Sequence, residues 1–319
     1  MIIFKNAVKS VLSLVIIVSV AFFFYTAFQM NWASIQSHKF EINYLFLFLS
    51  FSAILATYLL STYGWYITIN SLSDRARITF PQSIATVNSS SLVKYLPGKI
   101  WSYALQMYWL VNAGFSKSLI VYVNIINLFI SIITSVIVGF TYLLFSSTKF
   151  PFAATLSLLL VLVVLDICCM AFNAAIFNGM ISLVNKLLKR DIKYFNISKK
   201  LMLDLHLIHF GAAFTFGAGA YLLCLGIGYH VESDKILLVM SSLLISDVIG
   251  FLAIIVPGGL GVREGVMYLI LGGATPGSLS LILPVASRIV NMLVDIFLGV
   301  IALRLLKNFI NTDWTGNSP

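Results

Sequence analysis

Apolar runs of about twenty residues or more recur from one end of this chain to the other, at 8–30, 42–70, 118–146, 152–178, 200–227 and 278–304. A helix rises about 1.5 Å per residue and the hydrocarbon core of a bilayer is about 30 Å thick, so runs of this length can cross it. Charge is correspondingly scarce. Of 319 residues, 60% are hydrophobic and only 10% charged, against about a quarter charged in a soluble domain. Such a chain cannot cover its surface with polar groups and has to dissolve in lipid. Backbone N–H and C=O groups in hydrocarbon must pair within their own segment, which makes each run a helix. The expectation is an all-α integral membrane protein, one transmembrane domain over residues 1–319 with a short polar tail at 309–319. The first run is too long for a signal-peptide core and lacks a clear small-x-small cleavage site after it, so it reads as a retained anchor.

Two regions, 80–113 and 236–273, depart from this pattern. Each is split near its middle, by Pro97-Gly98 and by Pro257-Gly258-Gly259. Proline removes a donor and disfavours helix at the residue before it, and glycine lets the chain reverse. Residues 80–96 and 98–113 would each make a helix of about 25 Å, short of the hydrocarbon thickness. Both regions are therefore predicted to be re-entrant hairpins of two part-helices, added to six full transmembrane helices.

The basic residues orient this arrangement. With the N-terminus in the cytoplasm and each hairpin returning to its own side, thirteen Lys and Arg fall on cytoplasmic segments. Only Lys39, Lys149 and Lys235 fall opposite, and Lys94, Lys99, Arg263 and Arg288 stay within the membrane. That bias follows the positive-inside rule and puts both termini in the cytoplasm. The net charge of +9 is thus mostly a topology signal and not a nucleic-acid surface. Residues 179–200, with six basic residues, are either an ordinary cytoplasmic loop or a segment drawn to anionic lipid.

In this topology a first repeat, 1–148, runs inside to outside, and a second, 150–308, runs back. Each reads helix, helix, Pro-Gly hairpin, helix. A shift of 160 positions aligns Pro97 with Pro257, Gly98 with Gly258, Met107 with Met267 and Tyr108 with Tyr268. Inverted repeats whose broken helices meet near the midplane are a common transporter plan, and the breaks mark the substrate site.

An ionisable side chain in the bilayer centre costs about 2.5–3.5 kcal/mol on insertion scales, so each one needs a reason. Lys99 and Arg263 stand at the start of the second arm of their hairpins, where unpaired N–H groups already favour an anion. Gly258, Gly259 and Gly261 would let backbone approach it, and arginine offers a planar fork to phosphate oxygens. The expected binding set is a phosphate cradle of Lys94, Pro97, Gly98 and Lys99 from one hairpin and Pro257, Gly258, Gly259, Gly261, Arg263 and Glu264 from the other. Arg288, Asn291 and Asp295 join it as a stripe at i, i+3 and i+7 on the last helix. Structural readings stand beside these. Gly261 and Gly265 could be a packing face, Glu264 a partner of the helix dipole, Arg263 an ion-pair partner of Asp247 or Asp295, Lys94 a helix C-terminal cation, and the stripe a self-satisfied network. Asp166, alone in VVLDICCM, either finds a cation or stays protonated.

Other chemistry finds little footing. Cys168, Cys169 and Cys224 lie in apolar runs and read as buried thiols. His38, His206, His209 and His230 lack ligand partners at useful spacing, so neither a metal nor a cofactor is expected. There is no GxxxxGK[ST] loop, and no Ser–His–Asp arrangement is suggested by spacing, which favours a transporter over a catalyst.

VPGGLGVRE at 256–264, the glycines at 272 and 273 and the last helix with Arg288 resemble the lysylphosphatidylglycerol synthase transmembrane family. YLPGKIW at 95–101 is similar to its first-half motif. The resemblance implies a flippase-like domain that moves an anionic or phosphate-linked lipid between leaflets of a bacterial inner membrane. Its substrate would be a polyprenyl-phosphate-linked sugar or a modified phospholipid, and its partners glycan-assembly enzymes. It also implies that Pro257, Gly258, Gly259, Gly261, Arg263, Glu264 and Arg288 are the motif residues. Synthases of this family append a soluble aminoacyl-transfer domain, and this chain stops soon after its last span, so lipid aminoacylation is not expected of it. Ile100-Trp101, where many relatives have a glycine and an acidic residue, argues against a strictly symmetric cradle. A membrane-embedded glycolipid transferase and a non-catalytic subunit of a synthesis complex are the competing readings.

Overall fold

The computed structural model describes residues 25, 26, 29, 32, 33, 35, 36, 41–74, 76–91, 101–146, 151–189, 191–253 and 256–311. The predicted span 8–30 lies almost wholly outside them, as do Lys94, Pro97, Gly98 and Lys99. The described residues are helical, with no strand among them. They form α1 (Tyr44–Leu72), α2 (Phe80–Ser91), α3 (Trp101–Asn112), α4 (Lys117–Phe145), α5 (Phe152–Ala171), α6 (Asn173–Leu188), α7 (Lys199–Gly226), α8 (Ile236–Leu252), α9 (Val262–Leu271) and α10 (Gly277–Asn311).

Polar residues start the long helices where the apolar runs begin. The Asn43 carboxamide accepts from the N–H groups of Leu45 and Phe46. Ser116 and Ser198 accept from Leu119 and Leu201 in the same way, supplying the donors' missing partners at the N-termini of α4 and α7. Six stretches are long and apolar enough to cross a membrane: α1, α4, α5, α7, Ser233–Leu252 and Gly277–Lys307. This chain is an integral membrane protein.

Two elements differ from expectation. The run 152–178 is not one helix. Phe172 leaves helical geometry at φ −111°, ψ 30°, and the reason lies in what each side buries. Along α5, Leu160, Val161, Val164, Leu165 and Ile167 are exposed, a surface for lipid. Past the break, Phe177 and Ile181 are fully buried one turn apart on one face of α6, in a cluster with Ile126 and Ile130 of α4 and Leu201 and Leu205 of α7. The second difference is Ser233–Leu252, expected as part of a half-helix arm. With its leading 3₁₀ turn it reaches the length of a span. Of the other arms, α9 has 10 residues, about 15 Å at the helical rise, and α2 and α3 have 12 each among the described residues.

α2 is also polar, carrying Ser83, Thr86, Asn88, Ser89 and Ser90 buried among apolar helices. It tolerates this because the hydroxyls turn back on the helix. Thr86 donates to the Gln82 carbonyl and Ser90 to that of Val87, both within 2.8 Å, so no group is left bare in hydrocarbon.

The helices after each long lead helix pack in matched ways. α1 lies along α7. α2 packs on α10 and α8 on α4; α1 meets α2 and α7 meets α8; α2 meets α3 and α8 meets α9. The pairs α3–α4 and α9–α10, α1–α4 and α7–α10, and α4–α7 and α10–α1 complete the set. Exchanging α1 to α4 for α7 to α10 thus reproduces every one of these contacts.

Candidate functional site

A cavity of about 430 Å³ opens between these two sets of helices. Its charged side comes from α8 to α10. Gly258, Arg263, Arg288, Asn291 and Asp295, all predicted from the sequence, line it together with Asp247.

The reversal PGGLG sets this wall. Gly258, Gly259 and Gly261 have φ of 59°, 65° and 80°, the left-handed region that glycine enters without strain. Gly259 has a second constraint, since a Cβ there would sit 2.4 Å from the Gly250 carbonyl oxygen. Gly250 in turn lets the Arg263 side chain lie against α8, because its own Cβ would come within 2.9 Å of the Arg263 Cβ. The glycines at 259 and 261 therefore serve chain reversal and helix packing. Of the three, only Gly258 lines the cavity. Gly265, which with Gly261 could form a packing face, has nothing within 4 Å of a Cβ position among the described residues.

Neither arginine stands as an isolated positive charge. Arg263 Nη2 lies 2.7 Å from Asp247 Oδ1, and Arg288 Nη1 donates to Glu264 Oε1 at 2.7 Å. A cation among membrane helices needs a counter-ion, and for Arg263 it is Asp247, one of the two partners the sequence suggested. Glu264 is 6% exposed and works on both oxygens, since its Oε2 accepts from the Gly261 N–H at 2.6 Å. One carboxylate thereby caps α9 and ties it to α10 through Arg288. It lies behind the cavity surface. Arg288 spends only Nη1 on the protein. Its Nε and Nη2 have no partner among the described residues, on a side chain that lines the cavity. Beyond it, the Tyr58 hydroxyl donates to Asn291 Oδ1 at 3.5 Å and lies within hydrogen-bonding reach of Asp295.

Among the described residues, the opposite side carries no formal charge. α1 contributes Tyr58, Ser61, Thr62 and Trp65, and α4 contributes Asn124, Asn127, Leu128 and Ser131. Asn88 and Ser90 of α2 and Ser102, Tyr103 and Gln106 of α3 complete this wall, so both split regions reach the same cavity. Amides hold it together. Trp65 Nε1 donates to Asn124 Oδ1 at 3.3 Å, and Asn124 Nδ2 donates to Gln106 Oε1 at 2.8 Å. Asn127 Nδ2 donates to Thr68 Oγ1 at 3.1 Å. Ser102 Oγ and His209 Nδ1 are buried without a hydrogen-bond partner among the described residues, and both residues line the cavity.

Sequence reasoning missed this neutral wall, although a signal existed. Tyr58, Ser61, Thr62 and Trp65, like Asn124, Asn127, Leu128 and Ser131, recur at i, i+3, i+4 and i+7 within apolar runs. That is the spacing that singled out the stripe on α10. It also missed the partner of Asp166. His206 Nε2 is 2.9 Å from Asp166 Oδ1, joining α5 to α7.

Among curated proteins, none matches the chain. The family model described as Lysylphosphatidylglycerol synthase TM region matches residues 10–299, and by that match, which takes in the PGGLGVRE turn and both walls of the cavity, the chain belongs to this family.

Proposed function

We propose that this chain moves a phosphate-bearing lipid between the leaflets of a bacterial inner membrane, with both of its termini in the cytoplasm. The headgroup passes through the cavity while the chains stay in hydrocarbon. The observation that carries the reading is Arg288. Glu264 holds it through Nη1, its Nε and Nη2 have no partner among the described residues, and the residue lines a cavity among membrane helices. That is the fork a phosphate accepts from. A volume of about 430 Å³ falls within the about 300–1,000 Å³ typical of ligand sites. The matched contacts of α1–α4 and α7–α10 support two inverted repeats with re-entrant hairpins at their centre, a plan suited to alternating access.

The neutral wall narrows the substrate. Carboxamides, hydroxyls and the rings of Trp65 and Tyr103 suit an uncharged, hydroxyl-rich group, and so favour a lipid-linked sugar over an aminoacylated phospholipid. The second reading has an observation of its own. Asp295 lines the same cavity and would attract a cationic aminoacyl group.

Reconstitution in liposomes with fluorescent polyprenyl-phosphate sugar or aminoacylated phosphatidylglycerol tests both. Wild-type protein is expected to move the sugar lipid well above the rate of empty liposomes, and Arg288→Ala to lose that activity while remaining folded. Wild-type vesicles no faster than empty ones for either lipid, or full activity in Arg288→Ala, overturns the proposal.

A further inference from the structure

Asp166 and His206 form a buried titratable pair that the cavity reading leaves without a role. They are 7% and 3% exposed, between α5 and α7, five residues before the end of the one and seven after the start of the other. The hydrogen bonds dictate how many protons they hold. His206 Nδ1 is 2.7 Å from the Met202 carbonyl oxygen, which only accepts, so Nδ1 carries a hydrogen. His206 Nε2 faces Asp166 Oδ1 at 2.9 Å. Two lone pairs at that distance repel, so a second proton lies between them. Held on nitrogen, it makes an imidazolium–carboxylate pair; held on oxygen, an imidazole and a carboxylic acid. In either form the pair binds one exchangeable proton and is neutral overall.

His209 lies three residues further along the same face of α7 and connects the pair to the cavity. It lines that cavity. Its Nε2 is 3.5 Å from Asn127 Oδ1, and its Nδ1 is buried without a hydrogen-bond partner among the described residues. Gly64 on α1 makes room for it, since a Cβ there would come within 3.3 Å of Nε2. From α5, Cys168 and Cys169 stand beside Asp166. From α4, Tyr122 is packed in the same cluster and its hydroxyl donates to the Phe195 carbonyl. α1 presents Thr68, bonded to Asn127. Lys200 and Asp204 of α7 line a separate groove with Tyr63. Asp247 of α8, Arg263 of α9, and Arg288 and Asp295 of α10 share the cavity with His209.

We infer that Asp166 and His206 form the binding site for a proton whose movement is coupled to lipid translocation, with His209 as its station in the cavity. When the proton leaves the pair, the pair passes from neutral to one net negative charge. The hydrogen bond between Nε2 and Oδ1 is lost with it, and the same proton, bound by the lone pair of a His209 ring nitrogen, takes His209 from neutral to one positive charge. A charge then appears in the cavity beside the substrate only in the state that has released the pair's proton. The coupling role rests on the transport reading above, whereas the proton site itself does not.

Two measurements separate them. Infrared difference spectra of the full chain in lipid bilayers, titrated between about pH 4 and 10 to span the carboxyl and imidazole ranges, should show one protonation step. Asp166→Asn and His206→Gln should each abolish it. Lipid translocation in proteoliposomes should change about tenfold under an imposed pH gradient. Both variants should lose that dependence while keeping gradient-free exchange. A pair whose spectrum does not change with pH, or changes identically in Asp166→Asn, is a fixed structural contact and overturns the proton site. A titrating pair with translocation indifferent to the gradient overturns the coupling. If wild-type protein moves no lipid at all, the transport reading falls and the infrared titration alone decides the proton site.

Discussion

On the α8–α10 side of the cavity, Arg263 and Arg288 meet Asp247 and Glu264 in two ion pairs; on the α1–α4 side, amides and hydroxyls line the space and no charged residue takes part among the described residues. The two sides solve the same problem differently. Polar groups within a bilayer must be satisfied before they can do anything else. The charged wall achieves this by pairing each cation, and it takes its geometry from backbone: the glycine reversal, the close fit of Gly259 on Gly250 and the Glu264 cap. The neutral wall uses side chains that satisfy one another across three helices, from Trp65 to Asn124 to Gln106. A wall built the first way fixes a charge at one point. A wall built the second way offers many weak donors and acceptors, which discriminates shape and hydroxyl pattern. The pairing also differs in depth. Glu264 and Arg288 side chains are 8% and 18% exposed, whereas Asp247 and Arg263 are 35% and 21% exposed, so the first pair holds the fold and the second is the readier to open to a ligand.

The largest effect should follow from breaking the buried pair. Arg288→Ala removes the fork and leaves Glu264 a buried carboxylate with only the Gly261 N–H. Translocation is expected to fall between about tenfold and a hundredfold, the range set by about 1.5–3 kcal/mol for a hydrogen bond to a charged group, and thermal stability should fall as well. Arg288→Lys keeps the charge and loses the planar fork, so it should recover stability more than activity. Arg263→Ala should lose activity with a smaller loss of stability, because Asp247 is better solvated. If the two arginines prove equal in both readouts, the contrast drawn from their burial is wrong.

Next come the glycines that shape the charged wall. Gly259→Ala imposes a side chain at φ 65° and 2.4 Å from a carbonyl oxygen. It should lower the melting temperature in detergent by the equivalent of about 1–3 kcal/mol and reduce translocation with it. Gly265→Ala, in a helix with open space at the Cβ position, should leave both unchanged or slightly raise stability. Equal behaviour of the two would mean that the α8–α9 contact does not set the site.

How much of this was legible depended on whether the signal was local. The PGGLGVRE reversal, the stripe Arg288, Asn291 and Asp295, and the apolar runs are short-range patterns, and the structure carries them in the predicted segments, save 152–178, which breaks at Phe172, and 8–30, which lies almost wholly outside the described residues. Partnership was not legible. Asp247 lies sixteen residues before Arg263, and nothing in the spacing decides between it and Asp295. Asp166 and His206 are forty residues apart on helices whose faces sequence alone does not orient. The neutral wall was hidden for another reason: serine and asparagine are cheap enough in a membrane helix to pass as background, so only their helical spacing distinguishes them. The break at Phe172 carried no proline or glycine, and it appears only once α6 has a face to bury.

The smallest predicted effect tests the neutral wall most directly. Asn124 accepts from Trp65 and donates to Gln106, so Asn124→Ala leaves both without their partner while the ion pairs stand. If that wall reads hydroxyls, the variant should still move a polyprenyl phosphate carrying no sugar at close to the wild-type rate. Its preference for the sugar-bearing form should fall by about threefold to tenfold, the span of a neutral hydrogen bond at about 0.5–1.5 kcal/mol. Asn124→Asp keeps the acceptor toward Trp65 and adds a negative charge opposite Arg288. It should slow both lipids, because the added charge repels a phosphate whatever it carries. A uniform loss in Asn124→Ala, with the preference unchanged, would make the amide network scaffolding only and leave recognition to the charged wall alone.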